Sequence, residues 1–229
     1  MTITPNLLTR WAGIAAAAAG AIFIGVNIAH PHLDATSIAT TEVIVRNSLK
    51  VLMAALALAG ITGMYLRQVR QSGVLGLLGY LLLGGGYLLI FSTTVVSAFV
   101  LPSLAGSDPG YVNDVIAVAT GGTPQGDIGL LAVVNQVQSV AYLAGGLVFG
   151  IALYRARVLD RWAAVLLAVG GVATVLLSVL PDVFYRFLAF PNGIAMIGLG
   201  CSLWLTARSV TTTEPTGADR QHLTPAGVE

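Results

Sequence analysis

Charge is scarce in this chain. Its 229 residues include 11 Lys/Arg and 10 Asp/Glu, 9% of the total, against 56% hydrophobic residues and a mean hydropathy of +0.85. A water-facing domain carries about 25% charged residues. So few ionic groups cannot coat a soluble globule around this much apolar sequence, which excludes an ordinary soluble enzyme and a disordered chain. The net charge of +1 supplies no field for a polyanion and excludes a nucleic-acid binder. Cys201 is the single cysteine, so intramolecular disulfides, multi-cysteine zinc sites, iron–sulfur ligation and CxxC redox chemistry are excluded too. His30, His32 and His222 all fall outside the long apolar stretches, which leaves no bis-histidine haem. GxSxG, Walker A, HExxH and the dinucleotide glycine fingerprint are missing. No nucleophile–base pair is visible, so neither a catalytic residue nor a cofactor is expected.

Long apolar runs fill the chain instead. About 20 apolar residues of helix cross roughly 30 Å of hydrocarbon, and six stretches reach that length: 11–29, 49–66, 74–101, 128–154, 162–180 and 188–207. The reading is an all-α, polytopic integral membrane protein, a bundle of six transmembrane helices forming one domain over 1–208, with a Thr/Pro/Gly-rich disordered tail over 209–229. The third stretch is longer than a bilayer needs and has to tilt, kink or project. Its Gly84-Gly85-Gly86 run reads as a bend or as close packing.

Lys and Arg are retained on the cytoplasmic side. With a cytoplasmic N-terminus, the inside holds Arg10, Arg67, Arg70, Arg155, Arg157, Arg161, Arg208 and Arg220, and the outside holds Arg46, Lys50 and Arg186. The 102–127 loop carries acids and no base, as an exported loop should. Both termini are therefore expected in the cytoplasm. A cleaved signal peptide is disfavoured, because the first apolar run exceeds a signal h-region and lacks a small-x-small site. Arginine in place of lysine, with abundant Ala and Gly, fits a GC-rich bacterial genome and hence a bacterial plasma membrane.

Outside the spans, 30–47 reads as a polar, Thr-rich surface loop. Within the longest loop, 110–119 is expected to form a short interfacial helix that ends in the Gly121-Gly122-Thr123-Pro124 turn. Gly13, Ala17, Ala21 and Gly25 share one helix face, as do Gly146 and Gly150, so helix backbones can approach closely there. Packing inside the bundle is the favoured reading, with a homo-oligomer or partner interface as the alternative. Arg10-Trp11-Ala12 and Arg161-Trp162-Ala163 open two spans alike, which shared membrane grammar explains.

Polar residues within the spans gather at one depth. Asn27, Asn47, Lys50, Ser92, Thr93, Thr94, Ser97, Asn135, Gln136, Gln138, Ser139, Ser178 and Asn192 all fall in the outer halves, and the cytoplasmic halves read as almost purely apolar. Polar groups in hydrocarbon are costly and default to a functional reading. Asn135, Gln138 and Tyr142 share one helix face. Two readings stay open: a polar cavity open to the outside, lined by Asn27, Lys50, Ser97, Asn135, Gln138, Tyr142 and Asn192, or a set of interhelical hydrogen bonds. Lys50 either snorkels to the interface or neutralises a substrate carboxylate. His30, His32 and Asp34 resemble a metal-binding fragment, although two interfacial histidines are the favoured reading. Pro181-Asp182, Pro191-Asn192 and the neighbouring aromatics Phe184, Tyr185, Phe187 and Phe190 mark an interfacial turn, with Pro191 in the first turn of the last helix.

The segment Leu153-Tyr154-Arg155-Ala156-Arg157-Val158-Leu159-Asp160-Arg161-Trp162 resembles a recurrent segment of a bacterial membrane family, the domain of unknown function four-three-eight-six. Arg10-Trp11-Ala12-Gly13 is similar to the Arg-x-Ala-Gly that opens its members, and Pro191-Asn192-Gly193 to their Pro-x-Gly. Asp160 stands where the family carries proline. The resemblance implies a six-helix topology and no particular chemistry. Two functions are expected: binding or passing a small or amphiphilic molecule, with the lipid bilayer and a small-molecule or lipid ligand as partners, or a non-catalytic scaffold packed against a membrane partner.

Overall fold

A computed structural model describes residues 4–177 and 189–209, all helix and loop. Helix α1 spans Pro5–Asn27, α2 Thr41–Arg67, α3 Val69–Val95, and a π turn over Val96–Val100 leads into the short α4, Leu101–Leu104. Helix α5 spans Pro109–Ala119, α6 Leu131–Ala156, α7 Arg161–Leu177 and α8 Ala189–Ser209. Five helices among the described residues are long and apolar enough to cross a membrane. In hydrocarbon only a helix or a closed barrel satisfies its own peptide groups, so this is a helical integral membrane protein. Ser178, the Pro181-Asp182 turn with Phe184, Tyr185 and Phe187, and the tail from residue 210 lie outside the described residues.

The helices start earlier than the apolar runs. Thr4 caps α1 by accepting from the Leu7 N–H, and Pro5 occupies the first turn, where its missing N–H costs nothing. Thr40 caps α2 by accepting from the Val43 N–H, with Glu42 in the first turn. The expected 30–47 loop is therefore corrected: from Thr41 on it is helix, and Asn47 and Lys50 lie inside α2 rather than at its end. Conversely, α6 begins after 128. Gly129 adopts φ +61 and its N–H bonds the Asp127 carboxylate, which turns the chain before Leu131. Pro191 is the third residue of α8 as described.

Successive helices run antiparallel, and α8 closes on α1 to complete a ring of α1, α2, α3, α6, α7 and α8. Glycine sets the spacing. A Cβ on Gly13 would stand 2.7 Å from the Gly200 carbonyl oxygen, one on Gly86 2.7 Å from the Tyr142 nitrogen, and one on Gly150 2.7 Å from the Ala168 nitrogen. Gly13 and Gly150 thus pack inside the bundle, whereas Gly25 has nothing within 4 Å. Of the two readings of Gly84-Gly85-Gly86, a bend or close packing, the structure takes close packing. Gly86 serves close packing on α6, and the irregular backbone of the third stretch sits at Gly73 (φ 54°, ψ −149°) and at the π turn.

The antiparallel order brings Arg10, Arg67, Arg70, Arg155, Arg157, Arg161 and Arg208 to one end of the ring, here the arginine end. Arg208 lies over the Trp204 ring at 3.8 Å and Arg161 over Tyr154 at 4.0 Å. The tight α6–α7 turn uses Arg157 in the left-handed region at φ 56°, and the Asp160 N–H donates to Ser202 Oγ at 3.0 Å. The main core joins Ala16, Ala57, Ile61, Leu83, Phe149, Leu153, Ala164, Met196 and Leu199.

The opposite end, the α5 end, carries a smaller second core. Helix α5 is capped by Asp108 and closes with two bonds typical of a glycine stop: Gly121 at φ 88° donates to Val118 O, and Gly122 donates to Ala117 O. Its apolar face (Val112, Val115 and Ile116) packs with Ala35, Ile38, Val43, Leu101 and Ile128. The Ala35 N–H donates to Asn113 Oδ1 at 2.8 Å, tying the two loops together.

Replacing Gly86 by leucine is expected to destabilise the protein by about 1–3 kcal/mol through overpacking. Gly84→Ala, with open space at its Cβ, should stay within about 0.5 kcal/mol of the parent. Denaturant titration of the detergent-solubilised protein checks both.

Candidate functional site

The π turn originates in one proline. Pro102 has no N–H to offer Ser97, its partner in an i→i+5 ladder, and the Leu101 N–H is committed to Val96 O. The Ser97 carbonyl is left to find another donor. Asn47 of α2 supplies it across the helix gap, Nδ2 to O at 3.4 Å. Asn47 is only 3% exposed, so this long bond ties α2 to the irregular end of α3.

Around this contact lies a cavity of about 290 Å³ at the α5 end. Its walls are Asn27 of α1, Asn47 and Lys50 of α2, Thr93 and Thr94 of α3, Ser97 of the π turn, and Asn135 and Gln138 of α6. Leu33 and Ile38 from the first loop, Val115 and Ile116 from α5, and Leu131 supply its apolar part. His30, His32, Ala119 and Thr120 complete the lining.

Each side chain is fixed by local chemistry. Asn27 Nδ2 donates to Phe23 O at 2.8 Å and Asn135 Nδ2 to Leu131 O at 3.0 Å, both one turn back on their own helices. Thr93 donates to Gln138 Oε1 at 2.8 Å, a bridge from α3 to α6. Lys50 Nζ stands 3.0 Å from His30 Nε2, and His30 Nδ1 stands 2.9 Å from Pro31 O. A carbonyl only accepts, so the imidazole proton belongs on Nδ1, and Nε2 then accepts from the lysine ammonium. Arg46 braces the rim. It donates to Val26 O at 3.1 Å and Ile28 O at 3.0 Å, carbonyls at the end of α1, and pairs with Glu42 at 3.0 Å.

Of the residues singled out in the sequence, the structure brings Asn27, Lys50, Ser97, Asn135 and Gln138 to one cavity. Tyr142 and Asn192 do not line it. The Tyr142 ring meets Tyr87 edge-on at 5.4 Å, deeper in the bundle. Asn192, 3% exposed, fills the space on α7 that a Cβ of Gly170 would take. The fragment of His30, His32 and Asp34 does not converge as a metal site would. Both His30 nitrogens are engaged, and Asp34 Oδ1 accepts from Thr36 Oγ1, the Thr36 N–H and the Ser37 N–H. No cluster among the described residues is placed to hold a metal ion.

Sequence reasoning passed over the apolar lining, although Val112, Val115 and Ile116 at helical spacing signal a buried face of α5. A further polar group lies beyond the expected spans, between 66 and 74. At the arginine end Gln68 is fully buried, and its Oε1, Ser72 Oγ and Arg67 Nε lack partners. These residues surround the α2–α3 turn, where the helical ladder is interrupted.

No family model, curated protein or solved structure matches the chain.

Asp34 is held down to about 2, chiefly by the Thr36 hydroxyl and then by the Ser37 N–H. A carboxylate with a depressed folded value stabilises its turn above its ordinary 3.8 and loses that contribution as pH falls from 3.8 through about 2. The Thr36 and Ser37 amides should therefore keep their hydrogen-exchange protection at pH 5 and lose it near pH 2. Asn47→Leu orphans the Ser97 carbonyl and is expected to cost about 1–3 kcal/mol in an unfolding titration.

Proposed function

We propose that this protein binds or passes a small or amphiphilic molecule through the polar cavity at the α5 end. The carrying observation is convergence: α1, α2, α3 and α6 each turn amide, hydroxyl or ammonium groups toward one space. Polar side chains that served only to join helices would be expected to saturate one another. Asn47 and Gln138 do join elements, but the amides of Asn27 and Asn135 bond their own helices, and these two favour a cavity over interhelical glue. The small-residue contacts at Gly13 and Gly150 are used inside the bundle, and only Ala21 and Gly25 of that face are left open for a scaffold interface.

The finer topology belongs to the same proposal. Six spans thread a bacterial plasma membrane, the arginine end faces the cytoplasm with both termini, and the α5 end faces outward. The grouping of arginines at one end of the ring supports that orientation. Membership in the six-helix family is proposed on the segment 153–162, which forms the α6–α7 turn and its flanks.

Single cysteines at positions 135 and 138, in a Cys201→Ser background, test the cavity with a membrane-impermeant maleimide on intact cells. Labelling at both is expected, together with labelling at a Gln125→Cys control and none at Gln71→Cys until the cells are permeabilised. Complete protection at 135 and 138 contradicts the cavity. Labelling of the 71 control alone reverses the orientation.

A further inference from the structure

The donor and acceptor inventory of the cavity narrows its ligand. Backbone carbonyls only accept, so the amide nitrogens of Asn27, Asn47 and Asn135 are the atoms that must face Phe23 O, Ser97 O and Leu131 O. Their oxygens are thereby directed away, and among the described residues none of the three accepts a hydrogen bond. Asn47 and Asn135 are more than nine-tenths buried, at 3% and 7% exposure. Acceptors that open onto a cavity take their donors from its occupant, and among the described residues no protein donor is placed on these oxygens. The other wall has the opposite character. Lys50 brings an ammonium, the single Thr93 hydroxyl proton is contested by Gln138 Oε1 at 2.8 Å and the Leu89 and Ile90 carbonyls at 3.1 and 3.2 Å, and Gln138 Nε2 has at least one hydrogen for another acceptor. No aspartate or glutamate is among the described lining residues, while Leu33, Ile38, Val115, Ile116 and Leu131 give an apolar side.

We infer that the cavity takes a small zwitterion, with a primary ammonium on the three amide oxygens, a carboxylate toward Lys50 and Gln138, and a short apolar side chain against α5 and the first loop. This rests on the cavity reading above. The volume of about 290 Å³ admits such a molecule together with water. A bare carboxylate leaves the asparagine oxygens without donors. A bare amine sets like charge beside Lys50 and leaves Gln138 Nε2 without an acceptor.

The test uses the full chain in lipid nanodiscs and three matched probes: L-valine, isobutylamine, which lacks the carboxylate, and isovalerate, which lacks the ammonium. Calorimetric titration is expected to show L-valine binding about tenfold or more tighter than either half-molecule. Gln138→Glu, which sets a carboxylate against the ligand's own, should weaken L-valine about tenfold or more, with an unchanged elution profile and melting temperature showing the fold intact. Asn135→Leu provides the second variant and should lose binding likewise. Equal binding of isovalerate or isobutylamine overturns the inference, as does the absence of L-valine binding or full binding by a folded Gln138→Glu variant. Maleimide accessibility at 135 and 138 in the same nanodiscs separates the two failures. An accessible cavity that ignores L-valine refutes the zwitterion alone, and a protected one refutes the cavity as well.

Discussion

A peptide group in hydrocarbon has no water to pair with, and every unpaired N–H or C=O there costs several kcal/mol. This constraint orders the whole structure. It makes the chain helical wherever it is apolar, and it turns each break in the helical ladder into a demand on a neighbouring element. The break at Pro102 shows how the demand is met. The Leu101 N–H goes back to Val96, the Ser97 carbonyl is released, and a buried asparagine from the preceding helix answers it. A defect in α3 thereby becomes a contact between helices and the floor plan of a cavity.

Close packing decides where such a cavity can form. Toward the arginine end and through the middle, glycines at 13, 79, 86, 145 and 150 bring helix backbones into contact, and little space is left. Toward the α5 end the contacts change character. Thr93, Thr94, Ser97, Asn135 and Gln138 stand there instead of glycine, and they line the cavity. The loops then close over the opening through their own apolar cluster, with Asn113 fastening one to the other and Asp114 receiving the Gln125 and Gly126 N–H groups. The acids at 108, 114 and 127 are thus occupied with backbone donors, whatever their contribution to the charge of this end.

Depth was legible in the sequence, and azimuth was only partly so. Membrane helices cross once each, so position along the chain translates almost directly into height, and Asn27, Asn135 and Gln138 could be grouped from their spacing alone. Which way a side chain faces depends on how each helix is rotated in the ring, and no single helix encodes that. Tyr142 shares a face with Asn135 and Gln138 yet packs on Tyr87, below the cavity. Asn192 sits deeper than its place in the sequence suggests, beside the Gly193–Gly20 contact and nearer the arginine end than Asn27, and it turns toward Gly170. The start of α2 was obscured for another reason. Thr40, Thr41 and Glu42 look like loop by composition, although Thr40 followed by Glu42 is also the chemistry of a capped helix start. The roof of the cavity was hidden because it is made by two loops whose pairing depends on tertiary contact.

The central claim is that Asn27, Asn47 and Asn135 turn amide oxygens without a protein donor toward a space that something polar occupies. A high-resolution density map of the protein in lipid nanodiscs tests it most directly. Ordered water or ligand density within hydrogen-bond distance of those three oxygens is the predicted result. Acyl-chain density in that space, or α3 and α6 closed together with the three oxygens bonded to neighbouring side chains, would contradict it.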